Sequence, residues 1–251
     1  MSRRVAAEGE GGDRTSGSDP LAAPGAAGRC YDGVLNPALH RVLRPSDRVI
    51  LDVGCGGGTN GRWLRSQPGI ERVDGLTASK EELVLASRRL DHVLLWNLER
   101  DDLPPLERRY DLIVFCHVLE HLAQPWSVVQ RFVPLVGAGG RMFVVVPNVG
   151  YWRIRVAALR GRFEYTEGGA LDRTHLRFFT HHSVRRLLVP SGFEVVDHWS
   201  DGHLPLGLLR SLLPERLAER LDRWAARTWP NLLGHQTCLL LRGPGSAGVA
   251  R

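Results

Sequence analysis

Val49-Ile50-Leu51-Asp52-Val53-Gly54-Cys55-Gly56-Gly57-Gly58-Thr59 sets an apolar, strand-like run directly against a glycine loop, at the point where a helix is expected to begin. Gly54, Gly56 and Gly58 allow the backbone to turn sharply and to approach a ligand with no Cβ in the way. The next helix presents unbonded N–H groups to that ligand. The unit predicts a nucleotide-type cofactor site, with Asp52 at the strand tip selecting the cofactor. A dinucleotide site requires G-x-G-x-x-G and an acid about 20 residues later. This loop reads D-x-G-x-G-x-G instead, and Thr59 stands where the last dinucleotide glycine belongs. A glycine loop alone can also be a tight structural turn, so the rest of the chain decides.

Outward from this stretch, short apolar runs recur at 49–53, 72–76, 92–96, 112–116, 141–146 and 193–198, separated by segments of helical character. That alternation predicts an α/β fold, a doubly wound and mostly parallel sheet with helices on both faces. Residues 235–241 read as one more strand. Residues 31–43 read as a helix ahead of the first strand, and Gly137-Ala138-Gly139-Gly140 as a helix-terminating turn ahead of the fifth. Two connections, 148–180 and 201–234, are far longer than usual, and long insertions commonly carry function. Within the second, 212–229 alternates leucine and arginine in an amphipathic pattern. It is read as a lid helix packed on the domain, in preference to a membrane-surface helix.

The 251 residues can build one large α/β domain, without enough chain for a second full one. Residues 1–28 are rich in Gly, Ala, Ser and Asp, lack apolar periodicity and contain no signal-peptide core, which predicts a disordered tail. The domain is expected over 29–242, with 148–180 and 201–234 as a substrate lid and 243–251 as a flexible tail. No window approaches the roughly 20 apolar residues of a membrane span. Cys30, Cys55, Cys116 and Cys238 match no zinc or redox spacing, as in a reducing cytoplasm. The formal charge is +6, but Lys80 is the only lysine and the arginines read as dispersed, with no compact basic cluster interleaved with aromatics. No nucleic-acid partner is expected on that pattern. Oligomeric state is not legible.

Further along stands Tyr110-Asp111-Leu112-Ile113-Val114-Phe115-Cys116-His117-Val118-Leu119-Glu120-His121-Leu122. Together with the D-x-G-x-G-x-G loop, this element resembles class I S-adenosylmethionine (SAM) methyltransferases. Val146-Pro147-Asn148, Gly161-Arg162-Phe163-Glu164-Tyr165 and Leu171-Asp172-Arg173-Thr174-His175-Leu176-Arg177-Phe178-Phe179-Thr180 are similar to a bacterial subgroup of that family. The resemblance implies a seven-stranded Rossmann-like sheet whose last strand runs antiparallel between the fifth and sixth. It also implies SAM as cofactor and O-methylation of a small-molecule or glycan-pathway acceptor. A SAM-binding accessory protein without its own turnover is the alternative. An NAD-dependent oxidoreductase is disfavoured by Thr59.

In a doubly wound sheet, ligands bind beyond the carboxyl ends of the strands. The expected cofactor contacts are therefore Asp52, Gly54, Cys55, Gly56 and Gly58 after the first strand, and Thr77 and Ser79 after the second. Asn97 and Leu98 follow the third strand, and Cys116 and His117 the fourth. The resemblance places Asp52 near the methionyl ammonium and Tyr31 over the cofactor. It also asks for an acid on the ribose hydroxyls where this chain has Thr77, which can make only part of that contact. Asp74 is acidic, but strand alternation turns it elsewhere. Asn97 stands where the family has an aspartate, and its carbonyl can accept from the adenine amine.

His175 is the first candidate for a proton acceptor, with His117 and His121 behind it, since an imidazole has the pKa to take a hydroxyl proton near neutral pH. His117, Glu120 and His121 also spell H-x-x-E-H, which would share one helix face and permit metal ligation. Related enzymes bind a divalent metal through E-x-x-E-H at the matching place. Because His117 replaces the first glutamate, the expectation here is that Glu120 and His121 brace the helix without a metal. Asp172, His175 and Arg177 read either as part of the substrate site or as a polar turn with Arg177 paired to Asp172.

Overall fold

The computed structural model describes residues 33–188 and 193–242. Cys30, Tyr31 and the two expected tails lie outside the described residues. Seven strands, β1 (Val49–Val53), β2 (Arg72–Thr77), β3 (His92–Leu95), β4 (Tyr110–Cys116), β5 (Val136–Pro147), β6 (Glu194–Gly202) and β7 (Gly234–Arg242), form one sheet in the order β3-β2-β1-β4-β5-β7-β6. The first five pair in parallel, and β7 runs antiparallel to both β5 and β6. Helices α1 (Leu39–Val42), α2 (Thr59–Arg65), α3 (Lys80–Ala86), α4 (Pro125–Arg131), α5 (Trp152–Leu159), α6 (His181–Leu188), α7 (Glu215–Thr228) and α8 (Pro230–Leu233) connect and cover it.

The central strands are apolar throughout because both of their faces are covered. Leu51, Val53, Ile113 and Phe115 point into one buried cluster, and Ile50, Leu112 and Val114 into the other. From β1 the chain builds outward to β2 and β3 on one side and to β4 and β5 on the other. In sheets of this kind ligands bind where the strand order reverses, here between β1 and β4, and Asp52 and His117 stand at the carboxyl ends of those two strands.

Three local expectations are corrected. The helix expected over 31–43 is reduced, among the described residues, to the four residues of α1. Ahead of it, Asn36 Oδ1 accepts from Ala38 N at 3.0 Å and Asn36 N donates to Asn60 Oδ1 at 3.0 Å, so Asn36 and Pro37 form a tied turn. Gly137-Ala138-Gly139-Gly140 belongs to β5 itself. A Cβ on Gly140 would meet the Tyr110 carbonyl oxygen at 2.6 Å, so the glycines let this strand pass close beside β4 where the register shifts. The helix within 212–229 begins only after Pro214. Helix α7 buries Ala218, Ala225 and Ala226 and leaves Leu217 and Trp224 in water, because small residues permit close approach to β6.

At the amino end of β5, Arg141 is 1% exposed. Its Nη2 donates to both oxygens of the buried Asp47 at 2.6 Å, and its Nη1 donates to the Val42 carbonyl at 2.6 Å. This pair ties the segment ahead of β1 to the sheet. Removing the cation strands a buried carboxylate, so Arg141→Met is expected to cost about 3–5 kcal/mol. In urea unfolding, Arg141→Met combined with Asp47→Asn should lose clearly less than the sum of the two single variants; a simple sum would mean that the pair is not coupled.

Candidate functional site

The loop after β1 is closed by glycines for steric reasons. Gly54 has φ +69°, and a Cβ there would lie 2.5 Å from a Val118 methyl. Gly58 has φ +86° and precedes α2 in the left-handed region. Asp52 is 1% exposed, and its Oδ2 has no hydrogen-bond partner. Burial pushes its carboxyl pKa up to about 7, with the Gly61 N–H pulling the other way. Such a carboxylate is a receptor for a cationic group, since an ammonium would stabilise its charged form.

Beyond β2, Thr77 is buried and its hydroxyl donates to Glu82 Oε2. Ser79 is the N-cap of α3, accepting from Glu82 N at 3.3 Å. A Ser-x-x-Glu capping box would return the glutamate to the cap backbone. Here the carboxylate of Glu82 reaches Thr77 instead, which puts an acid next to the position where the sequence showed only a hydroxyl. Asp74 is occupied as expected: Arg72 Nε and the Tyr110 hydroxyl both donate to it, at 2.7 and 2.8 Å. Asn97 is used differently. Its Oδ1 accepts from the backbone N–H groups of Glu99 and Arg100 at 3.0 and 3.2 Å, so the oxygen expected at the adenine amine closes a local turn. Leu98 packs on the core, and its carbonyl accepts from Arg131.

The β4 end holds the densest chemistry. Cys116 is buried, and burial together with the Asp52 and Glu120 carboxylates drives its thiol pKa well up, making it an inert wall. His117 has φ +56°, the only positive value at a described non-glycine residue. Strain of this kind is commonly tolerated at functional sites. Its Nδ1 lies 3.3 Å from Glu120 Oε1, and its Nε2 lies 3.2 Å from Gln236 Oε1. Burial lowers the His117 pKa, but Glu120 and Gln236 outweigh it and the net shift is upward. Glu120 is 1% exposed, and apart from the His117 ion pair neither of its oxygens meets a donor among the described residues.

The insertion brings a third imidazole to this carboxylate. Its backbone is pinned by Leu176 N and Arg177 N, both donating to the Glu120 carbonyl at 2.8 and 3.0 Å. His175 and His121 stand edge to face with ring centroids 4.8 Å apart. One ligand atom each from Glu120, His121 and His175 falls within 4.8 Å of the others. His175 Nδ1 lies 3.3 Å from the Ala170 carbonyl, which assigns its proton there and turns Nε2 to the site. Burial lowers the His175 pKa, keeping the ring neutral. His121 Nδ1 is held by Thr174, whose hydroxyl donates to Asp172 at 2.7 Å. Asp172 therefore orients His121 through Thr174. Arg177 does not pair with it and bonds the Ala123 carbonyl instead.

Sequence reasoning missed Glu82, Asn36 and Gln236. Glu82 had a signal in its spacing from Ser79. Asn36 and Gln236 had none, since they are 200 positions apart and meet only in the fold, where they hydrogen bond to each other beside His117.

The sequence pattern of a methyltransferase domain family matches residues 29–198, and the chain belongs to that family. The ubiquinone biosynthesis O-methyltransferase of Photobacterium profundum is 36% identical over 110 residues, covering 40% of this chain and 44% of that protein. Its counterpart in Serratia proteamaculans is 30% identical over 119 residues, covering 45% and 48%. The chain spans less than half the length of these two relatives. Among solved structures, an S-adenosylmethionine dependent methyltransferase from Mesorhizobium loti superposes with a TM-score of 0.55 at 21% identity, covering 82% of this chain and 96% of that chain. The plantazolicin methyltransferase BpumL in complex with SAH gives 0.52 at 16%, covering 78% and 76%. At these identities the likeness is one of fold, the class I methyltransferase sheet.

The cofactor is S-adenosylmethionine, and the orphaned oxygen of Asp52 fits its ammonium group. Because Asp52 titrates near 3.8 when unfolded and about 7 when folded, the protein on its own loses stability as pH rises between those values. Asp52→Asn should therefore raise thermal stability at pH 8, by about 2 kcal/mol, while weakening SAM binding at least about tenfold in calorimetry. In the unsubstituted protein, affinity should fall about tenfold per pH unit below pH 7 as Asp52 protonates. A flat profile would show that Asp52 does not hold the cation.

Proposed function

We propose that this methyltransferase-domain chain transfers the methyl group of SAM to an oxygen of a small-molecule or glycan-type acceptor. The observation that carries the reading is the buried Glu120 carboxylate, paired with His117 and brought within reach of His121 and His175. Bound SAM supplies a methyl group already made electrophilic by its sulfonium, so the protein's own share is alignment and proton removal.

Asp52 holds the amino-acid end of the cofactor, and Glu82 with Thr77 faces its ribose. His175, with its Nδ1–H directed to Ala170, takes the acceptor's hydroxyl proton at Nε2. Glu120 stabilises the imidazolium that forms. His117 has acceptors against both nitrogens and is better suited to carry positive charge and to fix Gln236 than to accept a proton. Segments 148–180 and 201–234 form the acceptor-side walls. The O-methyltransferase names of the relatives support oxygen as the target. The three described cysteines are free and buried, in keeping with a cytoplasmic setting. His175→Ala should lower kcat by about two orders of magnitude or more with the SAM dissociation constant unchanged; full turnover in that variant would remove His175 from the chemistry.

A second reading is favoured by the spacing of Glu120, His121 and His175, whose donor atoms match the mixed N/O set that a divalent cation takes. The orienting bonds to Ala170 and Thr174 are those expected of ligating histidines. In that case these three residues would hold the metal, which would supply Lewis-acid activation of the acceptor oxygen. Metal analysis after dialysis, with and without chelator, separates the readings. A stoichiometric divalent ion that is lost on Glu120→Gln favours the metal, whereas full activity with no bound metal leaves His175 as base.

A further inference from the structure

The described residue range 152–163 reads Trp-Arg-Ile-Arg-Val-Ala-Ala-Leu-Arg-Gly-Arg-Phe, with four arginines and no acid. It begins with α5, a helix that buries none of its residues against the domain. Leu159 at its end is 88% exposed. Immediately beyond, Phe163, Tyr165 and Phe178 form a triangle with centroids 6.0 to 6.4 Å apart, each ring more than a third exposed. The sequence alone treats the arginines as dispersed. The fold leaves Arg153, Arg155, Arg160 and Arg162 together on one arm beside an aromatic knob.

We infer that this arm docks the protein onto a bilayer surface that contains anionic lipid. Rings that pack on one another while more than a third of each residue stays in water gain by entering the boundary between headgroups and acyl chains. Arginines with apolar stems beside them meet the phosphates at the same depth. The local charge is complementary to such a surface, since the four arginines outnumber the exposed Glu164 between Phe163 and Tyr165, and the nearby Glu167 is paired with Arg173 at 2.5 Å. Among the described residues no helix is long and apolar enough to cross a membrane, so the contact is peripheral. The same segment carries Ala170 and Thr174, which hold His175 and His121, so docking sets the acceptor site at the membrane face. The inference goes beyond methyl transfer and does not rest on it.

The test is co-sedimentation of the full chain with phosphatidylcholine vesicles, with and without phosphatidylglycerol. Partitioning should be at least about tenfold stronger with the anionic lipid. Arg160→Gln with Arg162→Gln, and separately Phe163→Ser, should each reduce it about tenfold or more, with melting temperature and SAM binding unchanged. Absence of sedimentation, or equal sedimentation with neutral vesicles, overturns the inference. It is also overturned if the arginines retain single-stranded RNA while vesicles are ignored, or if Phe163→Ser only abolishes self-association in ultracentrifugation.

Discussion

Two carboxylates, Asp52 and Glu120, are withdrawn from water at the carboxyl ends of adjacent parallel strands with fewer hydrogen bonds than burial ordinarily demands. A buried charge short of partners is costly, and these two, both within range of Cys116, meet that cost differently: Asp52 has its pKa pushed up to about 7 and Glu120 pairs with His117. Both are held by surroundings that cannot relax around them. Asp52 is locked into β1 between β2 and β4, and Glu120 lies under the insertion whose backbone bonds to its carbonyl. Asp52 keeps one oxygen without a partner, and Glu120 has His117 beside it with His121 and His175 close by.

The opposite end of the sheet is handled in the other way. There Arg141 and Asp47 are deeply buried and pair with each other, and their bonds stitch the segment ahead of β1 to β5.

The long insertion serves two ends of one function. Its inner part, from Ala170 to Arg177, is backbone-bonded to the segment after β4 and orients two imidazoles. Its outer part, around α5, has no fully buried residue: Trp152, Ile154, Val156 and Ala157 are half-buried, and Arg153 and Leu159 face water. Helix α7 repeats the division on the β6 side, with alanines inward and Trp224 and Leu217 outward.

The alternation of strands and helices and the glycine turn after β1 were legible because they depend on local patterning: continuous apolar runs for strands covered on both faces, and glycines where the chain turns with positive φ. Even the antiparallel seventh strand was available through family resemblance. The individual contacts were not. Asn97 closes its own turn, Glu82 reaches back to Thr77, and Asn36 meets Gln236 beside His117. Each of these is decided by how a side chain is aimed once the backbone is packed. The linear spacing of His117, Glu120 and His121 could suggest a shared face, but only the folded insertion could deliver His175 to the same carboxylate. Local chemistry follows from neighbours in the chain, whereas an active site is made from neighbours in space.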